Sequence, residues 1–306
     1  MSSLFAFPGQ GAQQPGMLHR LPCEAGSYLR HASDALGEDI LALDSPEALQ
    51  STRAVQLCLL VAGVASARWL MQRSPAPDYV AGLSIGAYAA AVVAEALDFA
   101  DAVRLVALRG ELMQRAYPHG YGMTALNGPD LGQVEQLLAD VGGEVFIANL
   151  NAEQQVVIAG SESAMAAVGE RLRKQGLGTA SRLAVSVPSH CPLLEAPALE
   201  LAKAFARIEI RRPRIRYLSG SSARLIVDPQ RLRDDLAGNM ARVVDWRATL
   251  RNAYERGVRL HIEMPPGSVL SGLAQRVMEQ GRVVAFDGTR ADTLDGLLRQ
   301  EVSQGR

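Results

Sequence analysis

The segment Val80-Ala81-Gly82-Leu83-Ser84-Ile85-Gly86-Ala87-Tyr88 constrains this chain more than any other. It reads as the end of a strand, a sharp turn and the start of a helix, with glycines two before and two after the serine. So tight a turn forces the serine backbone into a strained region, and a side chain at either flanking position would collide with its neighbours. The strain exposes the Ser84 hydroxyl at the rim of a sheet, where a base can reach it. The backbone N–H of Ile85 then points at an oxygen developing on an acyl group. Three fixed positions in five recur by chance, and a Gly-rich helix start that needs a small polar residue satisfies the same pattern. Context favours a nucleophile elbow. Pro77-Asp78-Tyr79-Val80 supplies a short strand, and residues 87–97 supply an alanine-rich helix that can pack closely behind the turn.

A chain of 306 residues can bury about three quarters of its extended surface. It holds one large domain, or a large domain with a small insert. Apolar residues make up 48% and aromatics only 5%, so the core is built from Ala, Leu and Val. A formal charge of −1 gives no pull toward nucleic acid or membrane, and an anionic ligand must be held by local positive groups. Cys23, Cys58 and Cys191 are far apart and form no C-x-x-C, which suggests neither a disulfide framework nor a zinc site. A reducing cytoplasm is the natural compartment. The stretch from Met1 to Pro8 lacks a basic region before its apolar run and does not read as a signal peptide. Residues 55–67, interrupted by Gln56, Gly63 and Ser66, are too short to span a bilayer and read as part of a buried helix over 52–71.

Along the chain, Leu4-Phe5-Ala6-Phe7 is an apolar run of the kind found in a central parallel strand. It feeds the loop Pro8-Gly9-Gln10-Gly11, where two glycines let the backbone come close to whatever it contacts; a plain Gly-rich turn with a solvated glutamine is the competing reading. The helix expected over 99–115 carries Arg104, Arg109 and Arg115. Helix arginines are ordinarily solvated. Arg109, among Leu105, Val106, Leu108, Leu112 and Met113 and followed by Gly110, needs an anionic partner. From Gly122 the pattern becomes strand 123–126, helix 130–141, strand 145–150, strand 155–159, helix 162–175 and strand 181–187. That β-α-β-β-α-β order is the split βαβ, or ferredoxin-like, arrangement. It is expected as an inserted small domain over 122–187, with 1–121 and 188–306 forming the large catalytic domain. Pro188-Ser189-His190-Cys191-Pro192 then sets a histidine on a stiff loop at the junction, either as a catalytic base or as a packed polar residue.

A serine hydroxyl attacks only when an imidazole takes its proton. The tetrahedral oxyanion needs two N–H donors, and an arginine inside the pocket implies a substrate carboxylate held bidentately. Ser84, His190, Gln10 and Arg109 supply these types. The chain resembles the malonyl-CoA:acyl carrier protein transacylase family over nearly its whole length. The likeness is carried by Phe7-Pro8-Gly9-Gln10-Gly11-Ala12-Gln13, Gly82 to Tyr88, Arg109-Gly110-Glu111-Leu112-Met113, Val185 to Cys191 and Glu263-Met264-Pro265-Pro266-Gly267-Ser268-Val269-Leu270. The resemblance implies an α/β-hydrolase-like core with a parallel sheet and the ferredoxin-like insert. It makes Ser84 the acylated nucleophile, His190 its base and Arg109 the grip on the malonyl carboxylate. The backbone N–H groups of Gln10 and Ile85 form the oxyanion hole, and Asn239 supplies a backbone carbonyl that orients the histidine. Asn151 lines the small-domain side of the cleft, and Met113 is a further supporting residue.

Fatty-acid and polyketide members usually carry histidine just before the nucleophile, where this chain has Leu83. The whole segment Val80 to Val93, with Ser51-Thr52-Arg53-Ala54-Val55-Gln56 upstream, looks most like the transacylase (epsilon) subunit of bacterial malonate decarboxylase. The expectation is therefore malonyl transfer from malonyl-CoA to the CoA-derived, phosphopantetheine-type thiol of that enzyme's acyl carrier subunit, with other decarboxylase subunits as partners and no bound cofactor. Leu83 itself is expected to face away from the acyl position. A fatty-acid transacylase is the alternative, with a serine hydrolase and a non-catalytic docking subunit behind it.

Overall fold

Leu4-Phe5-Ala6-Phe7 does lie at the centre of a sheet, in the computed structural model of this chain, which describes residues 2–304. In chain order the strands are β1 (Ser2–Phe7), β2 (Tyr79–Gly82), β3 (Tyr121–Asn127), β4 (Val145–Ala152), β5 (Gln155–Ser161), β6 (Thr179–Arg182), β7 (Arg216–Leu218), β8 (Leu225–Ile226), β9 (Val244–Asp245), β10 (Val258–Glu263) and β11 (Arg282–Ala285). They form two sheets in a mixed α/β fold. The larger runs β11-β10-β1-β2-β7-β8, parallel except for its last strand. Buried on both faces, β1 and β2 have no use for alternating polarity, which is why they read as continuous apolar runs. The smaller sheet runs β6-β3-β5-β4-β9. Its first four strands are antiparallel, with the helices Leu131–Val141 and Glu162–Lys174 between them in sequence.

Two helices carry the site's foundations. Thr52–Met71 is apolar all round and packs inside the protein, with 83% of its most apolar stretch buried; its 20 residues have the length of a span but the burial of a core helix. Phe99–Ala116 starts at Asp98, whose carboxylate accepts from the N–H groups of Ala100 and Asp101. The two helices meet at Gly110, where a Cβ would overlap the Arg53 backbone. Arg109, the residue before Gly110, is completely buried.

Several boundaries depart from the sequence reading. The helix after the elbow is Gly86–Val93, not 87–97, because Glu95 turns left-handed (φ 60°) and Leu97 bridges to Ile210. The last strand of the small sheet ends at Arg182 instead of Val187. The Arg182 guanidinium folds back on the carbonyls of Tyr121, Met123 and Val185, and Val185 and Val187 leave the sheet to enter the main core. The small sheet also recruits β9, from outside 122–187, parallel to β4. A two-residue strand carries no periodicity to read.

Candidate active site

The motif glycines do what the turn requires. A Cβ on Gly82 would overlap the Gly86 backbone, and one on Gly86 would overlap the Phe7 carbonyl, so neither position has room for a side chain. Between them Ser84 sits in the left-handed region at φ 56°, a strained backbone for any residue with a Cβ. The helix Gly86–Val93 begins directly behind it.

His190 is held to meet that hydroxyl. Its own backbone is left-handed (φ 65°), and its N–H donates to Met240 O at 2.6 Å. Nδ1 faces two carbonyls, Asn239 O at 2.8 Å and Arg242 O at 3.2 Å, so Nδ1 carries the proton and donates. Nε2 is left as the acceptor, 2.7 Å from Ser84 Oγ. The ring is almost fully buried, and its pKa is lowered to about 4, first by that burial and next by the Arg109 charge, against the opposing pull of the two carbonyls. It is a neutral base at neutral pH.

Arg109 has no exposed surface and forms no ion pair among the described residues. Its Nη2 lies 3.3 Å from Ser84 Oγ and 3.2 Å from Asn239 Oδ1, while Nε and Nη1 have no partner. Burial lowers its pKa, with Tyr88 opposing the shift. A cation taken out of water without a counter-charge is costly, and the two free donors are suited to an anionic group. Asn239 ties the group together. Its carbonyl orients His190, its Oδ1 accepts from Arg109, and its Nδ2 donates to Ser84 O at 3.2 Å. The sequence reading assigned only the carbonyl; the two side-chain bonds had no local signal.

The loop carrying Gln10 presses on the elbow, since a Cβ on Gly9 would come within 2.7 Å of Leu83 and 3.5 Å of the Ser84 Cβ. The backbone N–H groups of Gln10 and Ile85 have no acceptor among the described residues. From here a cleft of about 300 Å³ opens between the two sheets, lined by Gln10, Leu83, Asn149, Asn151, Val269 and Leu273 among others. Asn151 stands where expected. Asn149, two residues earlier on the same strand face, was not singled out from sequence; the Oδ1 atoms of both are buried without a partner. Leu83 corrects an expectation, because it lines this cleft instead of facing away from it. Met113 lies one turn beyond Arg109 and accepts from Gln56 Nε2 at 3.4 Å, so it supports the helix and is not brought to Ser84.

The far wall of the cleft depends on Glu263 at the end of β10. Its buried carboxylate accepts from the N–H groups of Leu270 (2.9 Å) and Ser271 (2.6 Å) and so seats the helix Val269–Ala274. Glu263→Ala should cost about 3 kcal/mol, the worth of two hydrogen bonds to a charged group. Urea unfolding measures it, and a loss near zero would show that the helix is seated by packing alone.

The acyl transferase domain family matches residues 4–304. The malonyl CoA-acyl carrier protein transacylase of Escherichia coli (strain K12) is 38% identical over 288 residues, covering 90% of this chain and 92% of its own. That of Bacillus subtilis (strain 168) is 32% identical over 291 residues, covering 92% of each. Among solved structures, FabD from Acinetobacter baumannii is 37% identical with a TM-score of 0.91, covering 98% of this chain and 99% of its own. A malonyl-transacylase in complex with its type II PKS acyl-carrier protein is 35% identical at a TM-score of 0.91, covering 98% and 100%. With a match of that extent, and with a serine, a neutral histidine and an unpaired arginine gathered at one elbow, the chain belongs to the acyl transferase family, among the malonyl-CoA:acyl carrier protein transacylases.

Proposed function

We propose that the chain moves a malonyl group from malonyl-CoA to the phosphopantetheine-type thiol of an acyl carrier protein, by way of a malonyl ester on Ser84. The observation that carries this reading is Arg109, fully buried, 3.3 Å from Ser84 Oγ and with two donors unused. A short diacid monothioester offers a carboxylate for those donors and a carbonyl for the serine. In the first half, the Ser84 proton passes to His190 Nε2 as Oγ bonds to the thioester carbon. The N–H groups of Gln10 and Ile85 hold the oxyanion. The C–S bond then breaks, the sulfur keeps the electron pair, and the CoA thiolate takes the proton from Nε2. In the second half, the carrier thiol gives its proton to Nε2, its sulfur attacks the acyl carbon, and Ser84 leaves and is reprotonated. We take the large sheet with its helices as the α/β-hydrolase-like catalytic part and the small one as the ferredoxin-like part.

We read the acceptor as an acyl carrier protein of the fatty-acid type before any other; the relatives at 32–38% identity are malonyl CoA-acyl carrier protein transacylases. This displaces the malonate decarboxylase reading from first place. Leu83 still favours that second reading, since an apolar side chain lines the cleft where related chains usually carry histidine. Malonyl transfer to the two carriers, measured in parallel, decides. The first reading expects the fatty-acid carrier to be the better substrate, and preference for the decarboxylase carrier would reverse the order.

The histidine sets the pH dependence. With its pKa near 4 in place of the ordinary value of about 6.5, His190 stays neutral down to mildly acidic pH. The rate constant for acylation should be flat from about pH 5.5 upward and fall only as pH approaches 4. A midpoint near 6.5 in single-turnover acylation would mean that the imidazole is solvated in the working enzyme. Stability follows the same sign. The unfolded chain takes up this proton first, so the neutral histidine's contribution is complete above about pH 6.5 and is lost as pH falls toward 4.

A further inference from the structure

The helix Pro229–Gly238 runs straight into Asn239, and its last turn is fixed from two sides. On one side is the buried carboxylate of Asp235. Its Oδ2 accepts from the Tyr217 hydroxyl on β7 at 3.1 Å, and its Oδ1 accepts from Ser219 Oγ, just past β7, at 2.6 Å. Ser219 is itself locked, since its Oγ accepts from the N–H groups of Ser221 and Ser222 and its carbonyl accepts from Thr249 Oγ1. β7 in turn pairs with β2, the strand that feeds the elbow. On the other side Tyr88, four residues past Ser84 on the elbow helix, donates to Leu236 O at 2.9 Å. That carbonyl is one of those a helix end leaves without an internal partner.

A buried carboxylate is a weak means of holding a helix against a sheet. Among the described residues Asp235 forms no ion pair, and burial raises its pKa against the pull of the two hydroxyls and the Arg242 charge. Packed apolar side chains of similar volume would hold the helix as well or better. Two directed bonds add geometry, because they fix the helix's rotation and its height along β7. Asn239 lies four residues on, on the same helix face, and its backbone keeps the helical turn (φ −62°, ψ −29°). A rotation at Asp235 is therefore carried to Asn239. From there the segment 239–242 sets its carbonyls against His190, and the Asn239 amide meets Arg109 and the Ser84 carbonyl.

Building on the malonyl-transfer reading, we propose that Asp235 is a positioning residue for acyl transfer, which, anchored to Tyr217 and Ser219, sets where Asn239 meets His190, Arg109 and Ser84. It stands behind the elbow and touches none of the reacting groups. Its effect on the reaction passes through Asn239.

Single-turnover acylation by malonyl-CoA, with circular dichroism on the same preparations, tests this. Asp235→Asn keeps the size and gives up one acceptor oxygen. Tyr217→Phe removes a donor from the sheet side and leaves the helix untouched. Asp235→Asn should slow acylation about ten- to hundredfold, and Tyr217→Phe about three- to tenfold, the scale of a displacement of up to about 1 Å in the site. Preference for malonyl over acetyl should fall at least about threefold in Asp235→Asn, because Arg109 loses part of its seat. A general loosening of the fold would slow both donors alike. Added to Asn239→Ala, Asp235→Asn should cost less than about a further threefold, well short of the product of the single losses. Changes of less than about twofold in both single variants, or losses that multiply in the double variant, would overturn the proposal. If Asp235→Asn does not fold, Tyr217→Phe with and without Asn239→Ala decides by the same criteria. Absence of any malonyl adduct on the native protein would instead sink the malonyl-transfer reading itself.

Discussion

Ser84→Ala should reduce malonyl transfer by at least about ten-thousand-fold, because it deletes the atom that carries the acyl group while leaving the binding sites in place. The fold should tolerate the change. The strained backbone at φ 56° is set by the packing of Gly82 and Gly86, and alanine needs no more room than serine. Among the described residues the Ser84 hydroxyl engages His190 and Arg109 alone, so its loss removes no apolar packing. Transfer assays and circular dichroism on the same preparation separate the two effects. A variant that keeps its fold and more than a hundredth of its activity would rule out a covalent intermediate on this residue. It would point to direct attack by the carrier thiol, or to no catalytic role at all.

Arg109→Ala should change what the enzyme accepts more than how fast it can react. The charge-assisted bonds to the malonyl carboxylate should be worth roughly 1.5–3 kcal/mol, or about 10- to 100-fold in preference over acetyl. The acetyl group has nothing to offer the guanidinium, so acetyl-CoA should become nearly as good a donor as malonyl-CoA in the variant. His190 should also respond. Arg109 is the second cause of its lowered pKa, and removing that charge lets the imidazole protonate at higher pH. The low-pH limb of acylation should therefore move upward. Retention of full malonyl selectivity, measured with the two donors in competition, would take the carboxylate grip away from Arg109.

How much of this was legible in the sequence depends on the range of the interaction concerned. The elbow was readable because its constraint is local. Gly82 and Gly86 are glycine because their Cβ atoms would strike backbone only a few residues away or on the adjoining strand. Arg109 was readable from its apolar neighbours on the same helix, where an unpaired charge stands out. His190 stood out through its flanking prolines, yet its tautomer is set by carbonyls 49 and 52 residues later. Asn239 shows the limit. Its side chain bridges Arg109 and the Ser84 backbone across separations of 130 and 155 residues, and nothing beside it in the chain signals either bond. Leu83 was misjudged for a similar reason. An elbow determines where the serine points, but the neighbour's surroundings come from the Gly9 loop and the helix Val269–Ala274, which only the folded chain brings together.

One experiment reaches the central claim, that a buried guanidinium holds a carboxylate while the neighbouring serine takes the acyl group. The native protein is mixed briefly with equal amounts of malonyl-CoA and acetyl-CoA, without a carrier, and the intact mass and the modified peptide are read by mass spectrometry. The account predicts a single adduct, malonyl in large excess over acetyl, on the peptide containing Ser84. Equal labelling by the two donors, or an adduct on any other residue, would contradict it.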